Sequence, residues 1–325
     1  MAEPLPLEQL LAIDHLLSEE EKMVRSTVRR FVAERYLPRA AELFAKEQFA
    51  SDLIPEIAEL GLLGVRYPEA DGGSGFDKVS DCIVREELSH LSQAFASSWS
   101  AHTHLGIWPI WKAGTPEQKQ RWFQPALAGE KIAGFGLSEP DGGSNVRALK
   151  TRAEKVPGGW KLHGSKLYIT NAPIADFLLV AARTAPELKP ESISLFIIDL
   201  PNPGFDIHKL RKEGIRASET GLIHIADAFV PDEALLAKWA RIREIRDLVN
   251  KEIEAVRAAG GVGSSLQANV AIAAPAADLA LLQSLGEDLK FVLITSVATL
   301  APGEALSVTV TPSSARKCER CWHWR

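Results

Sequence analysis

Through residue 130 the hydrophobic positions recur every three or four residues, the spacing of one face of an α-helix. The clearest run is Val24, Val28, Phe31, Val32 and Tyr36. Ser18-Glu19-Glu20-Glu21 ahead of it is a capping box: Ser18 caps the helix and Glu21 reaches back to the Ser18 N–H. Pro38 ends this helix. Further helices are predicted over 52–60, closed by Gly61, and over 79–91, 94–113 and 116–128. The last has Thr115 as N-cap and Pro116 at the first helical position. Gly72-Gly73-Ser74-Gly75 lacks the Gly-Lys-Ser/Thr ending of a phosphate loop and reads as a turn.

At Lys131 the period shortens. Runs rich in Ile, Val, Phe and Thr predict strands over 133–137, 160–168, 177–183, 194–199, 205–209 and 222–230. Turns at Pro157-Gly158-Gly159 and Asn202-Pro203-Gly204 separate them, and six short strands suggest a β-barrel or sandwich. Near Ala237 the pattern changes again, to a helix over 238–259 with Ile242, Ile245, Val249, Ile253 and Val256 on one face. Gly260-Gly261-Val262-Gly263 stops it. A small α/β unit follows: strand 268–273, helix 275–285, strands 289–294 and 306–311. The fold class is therefore α+β, in three parts: an all-α domain over 1–130, a β-domain over 131–237, and a helix with an α/β unit over 238–325.

Composition narrows the classes. A chain of 325 residues holds roughly two domains at about 150 residues each. Its 46% hydrophobic and 24% charged residues are those of a soluble globular protein. A net charge of −5 gives no global attraction for nucleic acid or an anionic membrane, so a polyanionic ligand would need local Lys, Arg or helix N-termini. Glu3, Glu8 and Asp14 interrupt any secretory apolar stretch, and the run over 177–182 is too short to span a bilayer. Three cysteines, two of them in a terminal Cys-x-x-Cys, fit a reducing cytoplasm.

The stretch with the most chemistry is Gly136-Leu137-Ser138-Glu139-Pro140-Asp141-Gly142-Gly143-Ser144-Asn145. Pro140 fixes φ, and Gly142 and Gly143 allow positive φ and close backbone approach. Such a loop offers N–H groups and hydroxyls to something flat, polar or anionic; alone, it is also an ordinary tight turn. With Tyr168-Ile169-Thr170-Asn171, Ile57-Ala58-Glu59-Leu60-Gly61-Leu62-Leu63-Gly64, Arg85-Glu86-Glu87-Leu88 and Arg216-Ala217-Ser218-Glu219-Thr220-Gly221, it resembles the acyl-CoA dehydrogenase family over about residues 10–237. Thr170-Asn171-Ala172-Pro173 and Arg216-Ala217-Ser218 look most like the glutaryl-CoA dehydrogenase branch.

The resemblance implies FAD, an acyl-CoA thioester as substrate, and an electron-accepting protein as partner. The family removes a proton α to the thioester while a hydride leaves the β carbon for flavin N5. Phe135, Gly136, Leu137, Ser138, Gly143 and Ser144 would line the flavin and the acyl entrance, with N–H groups near Leu137 and Ser138 on the flavin's polar edge. Ser138 and Thr170 would present hydroxyls to the ring, and Ile169, between Tyr168 and Thr170, is assigned to the cofactor with them. Tyr168, where the family usually has Trp, would cover one flavin face. Ser144 would touch the CoA portion, and Ser97 would lie on the acyl side. Asn145 replaces the usual Asp of the signature, and its side chain can still bond locally. Ala96 stands where glutaryl-specific enzymes place an Arg, which disfavours a dicarboxylic acyl group. The family's catalytic base lies on a third, helical domain that the sequence after Ala237 does not resemble. Glu244, Glu252 and Glu254 read there as a solvated helix face, so no catalytic residue is assigned.

The tail resembles a different family. Arg246-Asp247-Leu248-Val249-Asn250-Lys251, Gly263-Ser264-Ser265-Leu266-Gln267-Ala268, residues 289–296 and Lys317-Cys318-Glu319-Arg320-Cys321-Trp322-His323 are similar to the C-terminal region of bacterial isoleucyl-tRNA synthetase. That likeness makes the chain look chimeric and implies tRNA contact and a zinc motif of which Cys318 and Cys321, with His323, are present. A structural zinc site takes four ligands, one more than these provide. Elsewhere, His102 and His104 point apart on a helix, His90, His163, His208 and His224 are scattered, and Cys82 reads as a buried filler.

Overall fold

The computed structural model describes residues 13–186, 192–236, 238–319 and 324. The chain divides into two compact units after Leu236. Among the described residues no helix is long and apolar enough to cross a membrane.

The first unit begins with helices α1 (Glu19–Phe31), α2 (Ala40–Lys46), α3 (Ile54–Glu59), α4 (Lys78–Leu91), α5 (Gln93–Ser100), α6 (Trp108–Ala113), α7 (Pro116–Gln118) and α8 (Gln124–Leu127). The predicted capping box at Ser18 forms, and the predicted N-cap at Thr115 forms as a second box with Gln118. Glu21 N–H donates to Ser18 Oγ at 3.2 Å, and Gln118 N–H donates to Thr115 Oγ1 at 3.2 Å. The helix expected over 94–113 is broken. A π-helical segment, Ala101–Gly106, follows α5, and Pro109 opens α6. Gly106 lies so close to β1 that a Cβ there would be 2.6 Å from the Ala133 Cβ, so close packing against the sheet accompanies the break. Val28, Leu53, Ile57, Val84, Leu88, Phe95 and Trp99 form the helical core. Glu87 sits on this buried side because Arg29 grips it bidentately, at 2.7 and 2.9 Å. Cys82, by contrast, is exposed on α4, so the expectation of a buried filler fails. It follows Asp81 on a helix that buries Ile83, Val84, Glu87 and Leu88.

Strands β1 (Ala133–Gly136), β2 (Arg152–Val156), β3 (Gly159–Thr170), β4 (Phe177–Arg183), β5 (Ile193–Asp199), β6 (Phe205–Lys209) and β7 (Thr220–Pro231) make one seven-stranded sheet. Strand β4 is an unbroken apolar run buried along its length, as expected of a strand covered on both faces. It pairs with β5 antiparallel and with β1 parallel, while Arg152 of β2 pairs in parallel with Arg183 at its end. Residues 137–151 are therefore an excursion that leaves the sheet after β1 and returns to the same strand at β2. From β2 the sheet continues antiparallel through β3, β7 and β6.

In the second unit α9 (Lys238–Ala258) buries Ile242, Ile245, Val249 and Ile253, the predicted face. Strands β8 (Ala268–Ala274), β9 (Val297–Pro302) and β10 (Ser307–Pro312) form a sheet in the order β10-β8-β9, β8 and β9 being parallel. Between them lie α10 (Ala276–Gln283) and α11 (Leu289–Leu293). The strand expected over 289–294 is thus a helix. Leu289 and Leu293, four apart, are buried while Phe291 is exposed, a helical spacing that a short apolar run hides. Ile294, at φ 56°, ends the turn, and the strand forms just beyond it. The described residues after 237 thus form the expected helix and small α/β unit, with no helical bundle among them.

Candidate functional site

The loop after β1 is built on a buried ion pair. Glu139 N–H donates to Gly142 O at 2.9 Å and Gly142 N–H to Glu139 O at 3.1 Å, which closes a tight turn around Pro140 and Asp141. The Glu139 carboxylate turns inward and accepts from Lys150 N–H at 2.6 Å, Thr151 N–H at 2.9 Å and Lys166 Nζ at 2.9 Å. Burial alone would raise its pKa; the hydrogen bonds from Thr151, Lys150 and Lys166 outweigh burial and hold it below the ordinary carboxylate value. The Lys166 side chain is fully buried. Burial pushes its ammonium down to about 8 against the opposing pull of Glu139. Lys166 Nζ also donates to Leu137 O at 3.2 Å.

This core fixes one edge of the loop against β3. Leu167 N–H donates to Ser138 O at 2.9 Å, and a Cβ on Gly134 would lie 2.8 Å from Thr170 O. The structure therefore brings Phe135, Gly136, Leu137 and Ser138 beside Tyr168, Ile169 and Thr170, although the two segments are about thirty residues apart. The β3–β7 register shifts between Lys166 and Ile169, and inside that bulge Tyr168 has φ 59° and is 70% exposed. Ile169 is buried in the core, so within this segment the exposed ring is that of Tyr168. Gly143 stands near the Ser138 hydroxyl, 3.5 Å from its would-be Cβ, whereas Ser144 is exposed farther along the loop. The space inside the loop, about 190 Å³ lined by Leu137, Glu139, Gly142 and Lys150 among others, is smaller than the roughly 300–1,000 Å³ of small-molecule sites.

Asn171 ties this edge to the helices. Its Nδ2 donates to Ser98 O at 2.9 Å and to Ala133 O at 3.0 Å, and its own N–H donates to Glu219 O at 2.7 Å. Ser97, half-buried on α5 and accepting from Gln93 Nε2 at 3.3 Å, is thereby carried next to the residue Asn171 holds. The Arg216–Gly221 motif is held by hydrogen bonds from other elements. Glu219 accepts from Phe49 N–H and Lys209 Nζ, and Lys212 donates to Ser218 and Thr220.

The two histidines point apart, as the spacing predicts. His102 is buried: its Nδ1 accepts from Ala133 N–H at 3.0 Å, so Nε2 carries the proton and donates to Ala126 O at 3.0 Å. His104 meets Asp81 at 2.8 Å and Thr103 Oγ1 at 2.9 Å, with Ser100 Oγ at 3.4 Å. Sequence spacing missed this cluster, as it missed Glu139 with Lys166, because the partners lie on separate elements. Among the described residues no three metal-ligating side chains cluster. Cys318 is half-buried, while Cys321 and His323 lie outside the described residues. Glu244 and Glu254 pair with Arg241 at 2.6 Å and Arg257 at 3.2 Å along the outer side of α9.

A layer of helices followed by this sheet and loop is the two-part scaffold of a known flavoprotein class. The acyl-CoA dehydrogenase N-terminal domain matches residues 18–130 and the acyl-CoA dehydrogenase middle domain matches residues 134–228. Benzylmalonyl-CoA dehydrogenase of Aromatoleum aromaticum is 34% identical over 227 residues, covering 70% of this chain and 59% of that protein. The mitochondrial short-chain specific acyl-CoA dehydrogenase of Bos taurus is 36% identical over 223 residues, covering 68% and 54%. A glutaryl-CoA dehydrogenase from Mycobacterium smegmatis, solved in complex with FADH2, aligns with a TM-score of 0.66 at 30% identity, covering 77% of this chain and 67% of that one. The chain belongs to the acyl-CoA dehydrogenase family. It spans little more than half the length of the two curated relatives.

Proposed function

We propose that the first unit is the flavin- and acyl-CoA-binding part of a flavin-dependent acyl-CoA dehydrogenase, acting in the α,β-dehydrogenation of an acyl-CoA thioester in the cytoplasm. The observation that carries this reading is the exposed Tyr168 ring beside a loop edge fixed by the Leu167–Ser138 hydrogen bond. An aromatic ring held out of the core next to peptide edges and hydroxyls fits a flat heteroaromatic group such as FAD. When bound, FAD supplies the hydride acceptor. The chain's own residues would bind and orient: the peptide edge of Leu137 and Ser138 and the hydroxyls of Ser138 and Thr170 would hold the flavin. Tyr168 would stack on it, leaving room for the acyl group. Ser97 and Ser144 are assigned to the thioester substrate. Ala96 is fully buried and offers no cation, which favours a monocarboxylic acyl chain over the dicarboxylic substrate of a glutaryl-type enzyme. An electron-accepting protein would take the electrons onward.

No base is assigned: the helix that carries Glu244, Glu252 and Glu254 does not resemble the one that bears the family's base, and Glu244 and Glu254 pair with arginines on it. This polypeptide alone is therefore expected to bind FAD and to reduce dye slowly with butyryl- or hexanoyl-CoA. Protein that takes up no added FAD would remove the reading, and rapid dye reduction would overturn the statement about the base.

The second unit supports a separate reading, as a tRNA- and zinc-contacting module joined to a dehydrogenase portion. Its support is the likeness of 246–251, 263–268 and 317–323 to a synthetase tail, together with a core of its own. Metal analysis and tRNA titration of the full chain test it. An absence of both metal and tRNA binding ends it.

A further inference from the structure

Lys166 is expensive to bury. A desolvated ammonium costs several kcal/mol, and a buried ion pair is often no better for stability than an apolar pair of the same volume. The fold nevertheless places its side chain, fully buried, beneath the end of β1, with its stem against Gly136: a Cβ there would lie 3.5 Å from Lys166 Cγ. Two acceptors receive its ammonium, the Glu139 carboxylate at 2.9 Å and the Leu137 carbonyl at 3.2 Å. Glu139 itself has two backbone donors besides, so it is held in place without Lys166. The contact that Lys166 alone provides is the one to Leu137 O. That carbonyl belongs to the Leu137–Ser138 peptide, whose other end is the Ser138 N–H. Holding the oxygen inward aims the N–H the opposite way, because the peptide is planar and trans.

We infer that Lys166 is a positioning residue for the flavin edge: by gripping Leu137 O from below, it sets the direction of the Ser138 N–H, and Glu139 is the counter-ion that allows a cation to sit there. The inference rests on the FAD reading of this loop. It differs from a purely structural role in what it expects of a stable uncharged replacement. The double variant Glu139→Gln with Lys166→Met removes both charges and leaves the Gln carbonyl oxygen to accept from the Lys150 and Thr151 N–H groups, so the chain should fold with an unfolding midpoint in urea near that of the parent. Its affinity for FAD, read by quenching of flavin fluorescence on the full chain, should fall at least tenfold, and the bound flavin's absorption band should shift. Lys166→Arg, which keeps the cation and its donors, should stay within threefold of the parent. If the double variant does not fold, Lys166→Gln gives the same comparison without an apolar hole. Parent-like FAD affinity and spectrum in a folded double or Gln variant would overturn the inference. So would an Arg variant as weak as the double. A parent chain that binds no FAD overturns the reading of the site itself and is told apart at the first titration.

Discussion

Replacing Asn171 by Ala should loosen the joint between the helices and the sheet. The residue is 1% exposed, and its amide donates to Ser98 O on α5 and to Ala133 O on β1. Each lost hydrogen bond is worth about 1 kcal/mol net. Asn171 also has φ 70°, where Ala lacks the local polar bonding that lets Asn occupy the left-handed region, at a further cost of roughly 1 kcal/mol. The expected destabilisation is therefore about 3 kcal/mol. Asn171→Gly loses the same two bonds without the left-handed penalty, so it should be about 1 kcal/mol milder. Urea unfolding followed by tryptophan fluorescence reads the first unit through the buried Trp99 and Trp122, and both variants are compared with the parent. A loss below 1 kcal/mol for the Ala variant would refute the joint. An Ala variant as stable as the Gly variant would refute the backbone part of the argument.

Further expectations follow from other residues. Burial pushes the His102 imidazole down to about 4, with the bond to Ala126 opposing. Between pH 6.5 and 4 the unfolded chain then takes up a proton that the folded chain refuses. Stability should fall as the pH falls through this window, by about 3 kcal/mol in all. Unfolding midpoints across that range should show the decline in the parent, and His102→Gln should lack this component. Tyr168→Gly should stabilise the flavin-free chain by roughly 0.5–1 kcal/mol through relief of its positive φ. The same change should weaken FAD binding about tenfold through loss of ring stacking. A variant with unchanged FAD affinity in titration would detach Tyr168 from the site.

Local rules were the most legible part of the sequence. Ser18 caps where Glu21 predicts and Thr115 where Pro116 predicts, and the face of α9 follows from the spacing of Ile242, Ile245, Val249 and Ile253. Short apolar runs were the least legible, since Leu289–Leu293 carries too few residues for its period to declare itself. Cys82 misled for a related reason: residue type gives an average burial, and only the packing of α4 decides which side faces out. That the Ser138 and Tyr168–Thr170 segments lie side by side was readable through the resemblance. Lys166 and Glu139 were not, because 27 residues separate a pair that only the β1 and β3 crossing brings together. The role of Asn171 was hidden likewise, since the carbonyls it binds leave no mark in sequence.

We propose residues 135–144 and 168–170 as a flavin-binding edge. Its most direct measurement is a titration of the purified full chain with FAD, followed by flavin fluorescence and the absorption band. Saturable uptake of one FAD per first unit, with a perturbed flavin spectrum and weakened by Tyr168→Gly, is the expected result. A chain that stays colourless and leaves the fluorescence of added FAD unchanged would contradict the claim.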